Sequence, residues 1–278
     1  HKIKCGNSLV GSTLTQVLTY PTHAWKREAG DVIGNGAQKV LNGFASSVVA
    51  PETATIDKSR RNQTLKKWSG EAAAPRALMA AAGELERIHT LVDEREKEEA
   101  YAALQSSPQW RLLQERMNAW CAIWFWPVSV EGTLVDPPGP LAYESGTLSK
   151  GALQIVAAIS EKWRFFHWEI EFPDVFLRKS HRFSAFLGNP PWNVEKQQSA
   201  EFFARYNPVA AALAGKDAKA LQAQILATHP SAKEDWFAYN QALKALKNWV
   251  DNAGKDVTYD ESGTIVRSYA LHGGGNVE

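Results

Sequence analysis

The spacing of apolar and polar positions along the chain predicts mostly helices. The clearest helix is predicted over 75–104, where apolar residues recur every three or four positions after Pro75, a residue that suits the first turn of a helix. A second helix is predicted from Ser107, a good N-cap, to about Phe125. Further helices are predicted over 25–44, 149–165, 195–206, 217–227 and 233–250.

Few segments have the pattern of strands. Residues 2–5 alternate lysine and apolar positions before Gly6, and residues 183–187 are apolar and compact, so each predicts a short strand. Residues 167–173 are aromatic and end at a proline, which predicts an extended segment. Three more segments complete the prediction: a hairpin over 258–270, a loop over 128–145, and a loop leading into a short helix over 46–69.

Charge and composition exclude several classes of protein. The 278 residues carry 31 Lys and Arg against 30 Asp and Glu, a net charge of +1, which excludes a protein that binds nucleic acid by bulk positive charge. The longest apolar run, about 119–130, is too short for a membrane span and contains Pro127, so no membrane contact is expected. Two cysteines, Cys5 and Cys121, cannot build a disulfide framework, so a cytoplasmic location is predicted.

The histidines and tryptophans predict structural roles more than chemistry. The seven histidines do not cluster with Cys, Asp or Glu at metal-ligand spacing, so no metal site is predicted, and His167 among aromatic residues is interpreted as structural. The chain has eleven tryptophans but only seven tyrosines, which is an unusually high share of tryptophan. Four of them fall at near-helical spacing and are interpreted as core packing: Trp110, Trp120, Trp124 and Trp126.

The string Gly188-Asn189-Pro190-Pro191-Trp192, directly after the predicted strand 183–187, points to specific chemistry. Two consecutive prolines fix two φ angles and remove two N–H donors, so the carbonyls beside them are held rigidly. The Asn189 side-chain oxygen and the Pro190 carbonyl are two acceptors suited to the two N–H bonds of an exocyclic amino group. Trp192 adds an aromatic face that can stack on the base carrying that group. The alternative is an ordinary proline-rich turn after a strand.

This string resembles the catalytic loop of the amino-group DNA methyltransferases. Two further blocks, 1–11 (His-x-Ile-x-Cys-Gly-Asn-Ser-Leu-Val-Gly) and 166–176 (Phe-His-Trp-x-Ile-Glu-Phe-Pro-Asp-Val-Phe), resemble segments of the large adenine-specific methylases of type IIG restriction-modification and phage-defence systems. The three blocks occur in the family's order and cover about 35 residues of the first 192.

The resemblance implies an activity and roles for six residues. It implies an α/β fold with a Rossmann-like sheet that binds S-adenosylmethionine and methylates N6 of an adenine flipped out of double-stranded DNA. Asn189 and the Pro190 carbonyl would hold the amino group, Pro191 would keep the loop rigid, and Trp192 would stack on the adenine, where the family usually has Tyr or Phe. Asn7 or Ser8 would lie near the adenosyl group, where the wider superfamily usually has Asp.

One block of the family is missing, and this shapes the expected domain organisation. The family's Asp-Pro-x-Cys-Gly-x-Gly cofactor loop does not occur, so the chain is expected to be an interior fragment, inactive alone, whose partner is the remainder of the parent methylase. Asn7 and Asn189 are about 180 positions apart, whereas a crossover between strands needs about 30. The expected fold is therefore a partial Rossmann-like sheet with a large, mostly helical insertion, dominated by helices overall. Its expected segments are a core strand segment over 1–21, the helical insertion over 22–163 and the catalytic-loop half over 164–278.

Two interpretations of the insertion stay open, and with them a second function. Its basic residues are expected either to contact DNA phosphates or to lie in a solvated loop of a structural cap. These residues are Lys58, Arg60, Arg61, Lys66 and Lys67. The alternative function is a non-catalytic helical module that binds a partner or DNA and retains a methylase-like loop. An intact cofactor loop encoded upstream in the same reading frame would rule that alternative out.

Overall fold

The computed structural model describes residues 4–14, 16–30, 36–64, 83–84, 87–88, 90–129, 134–172, 198–253, 258–259 and 265–266. Of residues 60–64, 109, 258–259 and 265–266 only the backbone is described. The predicted catalytic residues 189–192 and the strand expected over 183–187 lie outside these ranges.

Helices dominate the described part of the chain. Ten α-helices have the following bounds: α1 (Gly36–Phe44), α2 (Ala50–Thr64), α3 (Glu94–Gln105), α4 (Pro108–Trp124), α5 (Pro140–Ser145), α6 (Lys150–Trp163), α7 (Trp168–Glu171), α8 (Ser199–Ala204), α9 (Gly215–Thr228) and α10 (Pro230–Asn252). A π-helical turn, Ala45–Val49, joins α1 to α2, and three 3₁₀ turns are Gln16–Leu18, Thr22–Lys26 and Pro208–Ala211.

Two helices predicted from the sequence begin at serine caps, and the cap at Ser107 was itself predicted. The Ser107 hydroxyl accepts a hydrogen bond from the backbone N–H of Trp110 and begins α4, and Ser149 caps α6 in the same way. The helices predicted over 217–227 and 233–250 are confirmed with slightly longer bounds, as α9 and α10. The hairpin predicted near the end of the chain is confirmed by strands β1 (Thr258–Tyr259) and β2 (Ile265–Val266), which pair antiparallel.

Other predicted elements are wrong for identifiable local reasons. The single helix predicted over 75–104 is interrupted, because Asp93 adopts an extended conformation and its carboxylate accepts from the N–H groups of Arg95 and Glu96, starting α3 anew. The loop predicted from residue 46 is instead helical to Thr64, and Pro51 lies directly after the π-helical turn. Two short helices, α5 and α7, replace a predicted loop and a predicted extended segment.

The expected fold class is wrong: the described residues contain no Rossmann-like sheet. Beyond the two-residue strands of the hairpin, their β-structure is limited to two isolated bridges, Asn7 parallel to Phe165 and Val128 antiparallel to Leu134. The N-terminal strand cannot continue past Asn7, because the Val10 N–H donates to the Asn7 carbonyl at 3.0 Å and closes a turn. The core is therefore built from helix faces and loops.

The main hydrophobic core draws on residues from Val10 to Ala253 and so includes all three segments expected from the sequence. In this core the rings of Trp120 and Trp124 each meet Trp249 edge-on and are tilted against each other, with centroids 5.6–5.8 Å apart. The prediction that Trp110, Trp120, Trp124 and Trp126 are core residues is confirmed by exposures of 3% or less. A smaller cluster lies between α8, α9 and α10, and it is formed by Phe202, Phe203, Ala210, Ile225, Ala232 and Trp236.

Candidate functional site

Two of the segments that carry the resemblance lie against each other in the structure. We call residues 6–14 and 164–170 the block pair. The Asn7 N–H donates to the Arg164 carbonyl at 2.7 Å, and the Phe166 N–H donates to the Val10 carbonyl at 2.9 Å. The bonds join residues more than 150 positions apart, so the packing of the whole core holds them together.

Glycine makes this close approach possible. A Cβ added at Gly11 would lie 1.9 Å from the carbonyl oxygen of Phe166, far inside any allowed contact. A Cβ at Gly6 would lie 2.6 Å from the ring of the same phenylalanine. The sequence showed glycine at both positions but gave no sign of the partner that requires it.

His167 joins the block pair to helix α4. Its Nδ1 accepts a hydrogen bond from the Ser12 N–H at 3.0 Å, and its Nε2 lies 2.8 Å from the Asn118 side-chain oxygen. An accepting Nδ1 requires the neutral tautomer with the proton on Nε2. Burial lowers the pKa of His167 to about 3. The interpretation of His167 as structural is therefore confirmed.

Glu169 makes a second polar contact across the block pair. Its carboxylate accepts a hydrogen bond from the Leu14 N–H. Burial raises the pKa of Glu169, and the Leu14 N–H partly offsets that effect. The carboxylate thus provides an acceptor for a backbone N–H that has no partner within a helix or a sheet. Glu169 therefore caps a segment 155 positions away in the sequence.

Asn7 and Ser8, the predicted cofactor-binding residues, lie at the turn of the block pair. The Asn7 side-chain oxygen accepts from the Leu9 N–H at 3.2 Å, which tightens the turn. The Ser8 carbonyl accepts from the Trp168 indole N–H at 3.0 Å, while its hydroxyl is exposed. The Asn7 amide nitrogen and the Ser8 hydroxyl have no partner among the described residues.

Aromatic rings surround this turn. The rings of Phe166 and Trp168 meet edge-on with centroids 4.9 Å apart, and Trp168 stacks on Phe172 at 5.8 Å. Leu9, at the tip of the turn, is 64% exposed. The turn with Asn7 and Ser8 is therefore rimmed by apolar surface.

The residues predicted to act on the base lie outside the described ranges: Asn189, Pro190, Pro191 and Trp192. Among the five basic residues of the predicted insertion, Lys58 is exposed on α2. The side chains of the other four are not among those described: Arg60, Arg61, Lys66 and Lys67. Within the described ranges, no group of three or more His, Cys, Asp or Glu residues is placed to hold a metal ion.

Comparison of the chain with protein-family models, with curated proteins and with solved structures finds no match in any of the three. Among the helices that the structure describes, none is both long and apolar enough to cross a membrane.

Proposed function

We propose that this chain supplies the catalytic loop of an adenine-N6 DNA methyltransferase. The observation that carries the proposal is the string 188–192, which combines two fixed acceptors with an aromatic face. The block pair supports it, since two segments that resemble the same family, distant in the sequence, lie against each other. The proposal concerns the chemistry of the loop and does not depend on a sheet in the described residues.

The chain's own residues act on the amino group of the flipped adenine. The Asn189 side-chain oxygen and the Pro190 carbonyl each accept a hydrogen bond from one N–H of the amino group. The lone pair of the amino nitrogen then points away from these two oxygens. Trp192 stacks on the ring, and Pro191 keeps the two acceptors at a fixed separation. The amino nitrogen would take the methyl group directly: the N–CH₃ bond would form as the methyl–sulfur bond of S-adenosylmethionine breaks, leaving neutral S-adenosylhomocysteine. One of the two N–H protons would then pass to water, and no covalent bond to the protein would form.

The donors at the block-pair turn fit the adenosyl part of S-adenosylmethionine. When bound, that molecule supplies a methyl group on a positively charged sulfur. The Asn7 amide nitrogen and the Ser8 hydroxyl would hold ring nitrogens or ribose oxygens, all of which are acceptors. Both side chains are neutral, so they would position this group without balancing its charge.

The test compares two Asn-Pro steps of the same chain in the full-length gene product. Asn189→Ala is expected to lower N6-methyladenine formation at least about 100-fold, because it removes one of two acceptors for the reacting group. Asn207→Ala is the matched control, since Asn207 also precedes a proline but only caps a 3₁₀ turn through the Val209 N–H, at 3.0 Å. Methylated adenine is counted by mass spectrometry of digested DNA. Equal activity of Asn189→Ala and the wild type would refute the proposal.

The helical architecture favours a second function, a module that binds DNA without methylating it. In that case the chain binds duplex DNA with a steep dependence on salt, and Lys58→Gln weakens binding about equally for all sequences. Fluorescence anisotropy with labelled duplexes measures both. Binding unaffected by Asn189→Ala, together with no methylation by the wild type, would select this function over the first.

A further inference from the structure

A groove of about 400 Å³ lies where the C-terminal ends of α4 and α6 meet the side of α10. Its apolar walls include the rings of Phe125, Trp163 and Phe237. Phe125 and Trp163 pack together with centroids 4.2 Å apart, so this wall is rigid. The volume and the aromatic lining are typical of sites for small organic molecules.

A buried arginine forms part of the groove wall. Arg27 is 4% exposed, and its guanidinium donates to the Trp124 carbonyl at 2.7 Å and to the Trp126 carbonyl. These bonds satisfy carbonyls at the end of α4 and use two of its five N–H donors. No described carboxylate pairs with Arg27. Burial lowers the pKa of Arg27 to about 10, so its side chain stays charged at neutral pH.

The helix end balances only part of this buried charge. A helix C-terminus carries the equivalent of about half a negative charge, which leaves roughly half of the guanidinium charge without a partner. Buried charges in proteins are normally paired. A donor-rich cation with unused N–H groups at the wall of an open groove is therefore suited to an anionic group from outside.

The other polar residues of the groove agree with this charge. Lys162 lies exposed at the rim, in the last turn of α6, and has no ion pair with a described carboxylate. Glu234 is the single acidic lining residue. Gln241 is occupied, because its amide exchanges two hydrogen bonds with the backbone of Val128.

We propose that this groove binds a small planar organic anion, with its ring against the aromatic wall and its carboxylate or phosphate on Arg27. Lys162 adds long-range attraction at the entrance. None of the residues involved belongs to the catalytic string or to the block pair, so the site is separate from the proposed methyl transfer and does not depend on it.

The probes separate the two possible anionic groups. Indole-3-acetate carries a carboxylate and adenosine 5′-monophosphate carries a phosphate, and each has a neutral counterpart, indole or adenosine. Calorimetry is expected to give a Kd below about 1 mM for at least one anion and at least about tenfold weaker binding of its counterpart. The proposal is overturned if neither anion binds, or if the neutral molecules bind as well.

Two substitutions locate the site without disturbing the arginine. Ala242→Leu fills the groove from the half-buried face of α10 and is expected to weaken binding at least about tenfold. Ala223→Leu makes the same change at an exposed position of α9 outside the groove and should leave binding unchanged. Circular dichroism confirms that both variants are folded. Unchanged binding by folded Ala242→Leu would place the ligand elsewhere and refute the proposal.

Discussion

The Gly11→Ala substitution tests whether the block pair is as tightly packed as the structure indicates. The new Cβ would lie 1.9 Å from the Phe166 carbonyl oxygen and 2.7 Å from its carbonyl carbon. Both are backbone atoms, so no side-chain rotation relieves the clash, and the two segments must separate. The hydrogen bonds on either side of the contact, from the Phe166 N–H to Val10 and from the Ser12 N–H to His167, are then lost.

The expected loss of stability follows from those two hydrogen bonds. Each contributes about 0.5–1.5 kcal/mol, and a buried donor left without a partner costs about 1–3 kcal/mol. We therefore expect Gly11→Ala to lower the free energy of unfolding by about 3 kcal/mol. For a chain of this size that corresponds to a fall in Tm of about 6–12 °C.

A matched glycine provides the control for this experiment. Gly43, in helix α1, has nothing within 4 Å of an added Cβ. Gly43→Ala should raise stability by about 0.5–1 kcal/mol, because alanine loses less entropy in a helix. Urea unfolding followed by tryptophan fluorescence measures both variants. A change for Gly11→Ala within about 0.5 kcal/mol of the wild type would refute the packing argument.

The remaining predictions concern two buried titratable groups. Burial lowers the pKa of His167 to about 3 from 6.5, so between these values only the unfolded chain takes up its proton. The stability that neutral His167 contributes is thus complete above pH 6.5, and it falls by about 1.4 kcal/mol for each pH unit below that value. The free energy of unfolding of His167→Gln, measured by urea titration, should lack this dependence on pH. The same dependence in the variant and the wild type would contradict the lowered pKa of His167. Burial also raises the pKa of Cys121, whereas Cys5 is exposed. Ellman's reagent should modify one thiol in native protein and both in denaturant; rapid modification of both in native protein would show that Cys121 is accessible.

Features set by neighbouring residues could be predicted from the sequence. Ser107 and Ser149 cap helices through bonds to residues three positions away, so the cap and the helix stand in the same short stretch. At Asp93 the apolar periodicity on both sides predicted one continuous helix, and the cap was not recognised. The local capping bond decided the outcome there.

Features set by distant residues could not be predicted from one sequence. The partners of His167 and Glu169 lie 155 positions away, and no local pattern marks Ser12 or Leu14 as the groups they bind. The expected sheet came from resemblance alone, and the turn after Asn7 limits the N-terminal segment to a single bridge. Arg27 was not singled out, because an isolated arginine in the sequence gives no sign that its charge will be buried.

The contacts between α10 and the N-terminal loop have a consequence for synthesis on the ribosome. The Trp249 indole N–H donates to the Leu9 carbonyl at 3.1 Å, and Gln16 donates to the Ala253 carbonyl at the same distance. The 240 positions between Leu9 and Trp249 take on the order of 10–50 s to translate. During that time Trp120 and Trp124 lack the ring of Trp249, which both contact in the folded protein. The nascent chain should therefore be a substrate for chaperones until its last long helix has emerged.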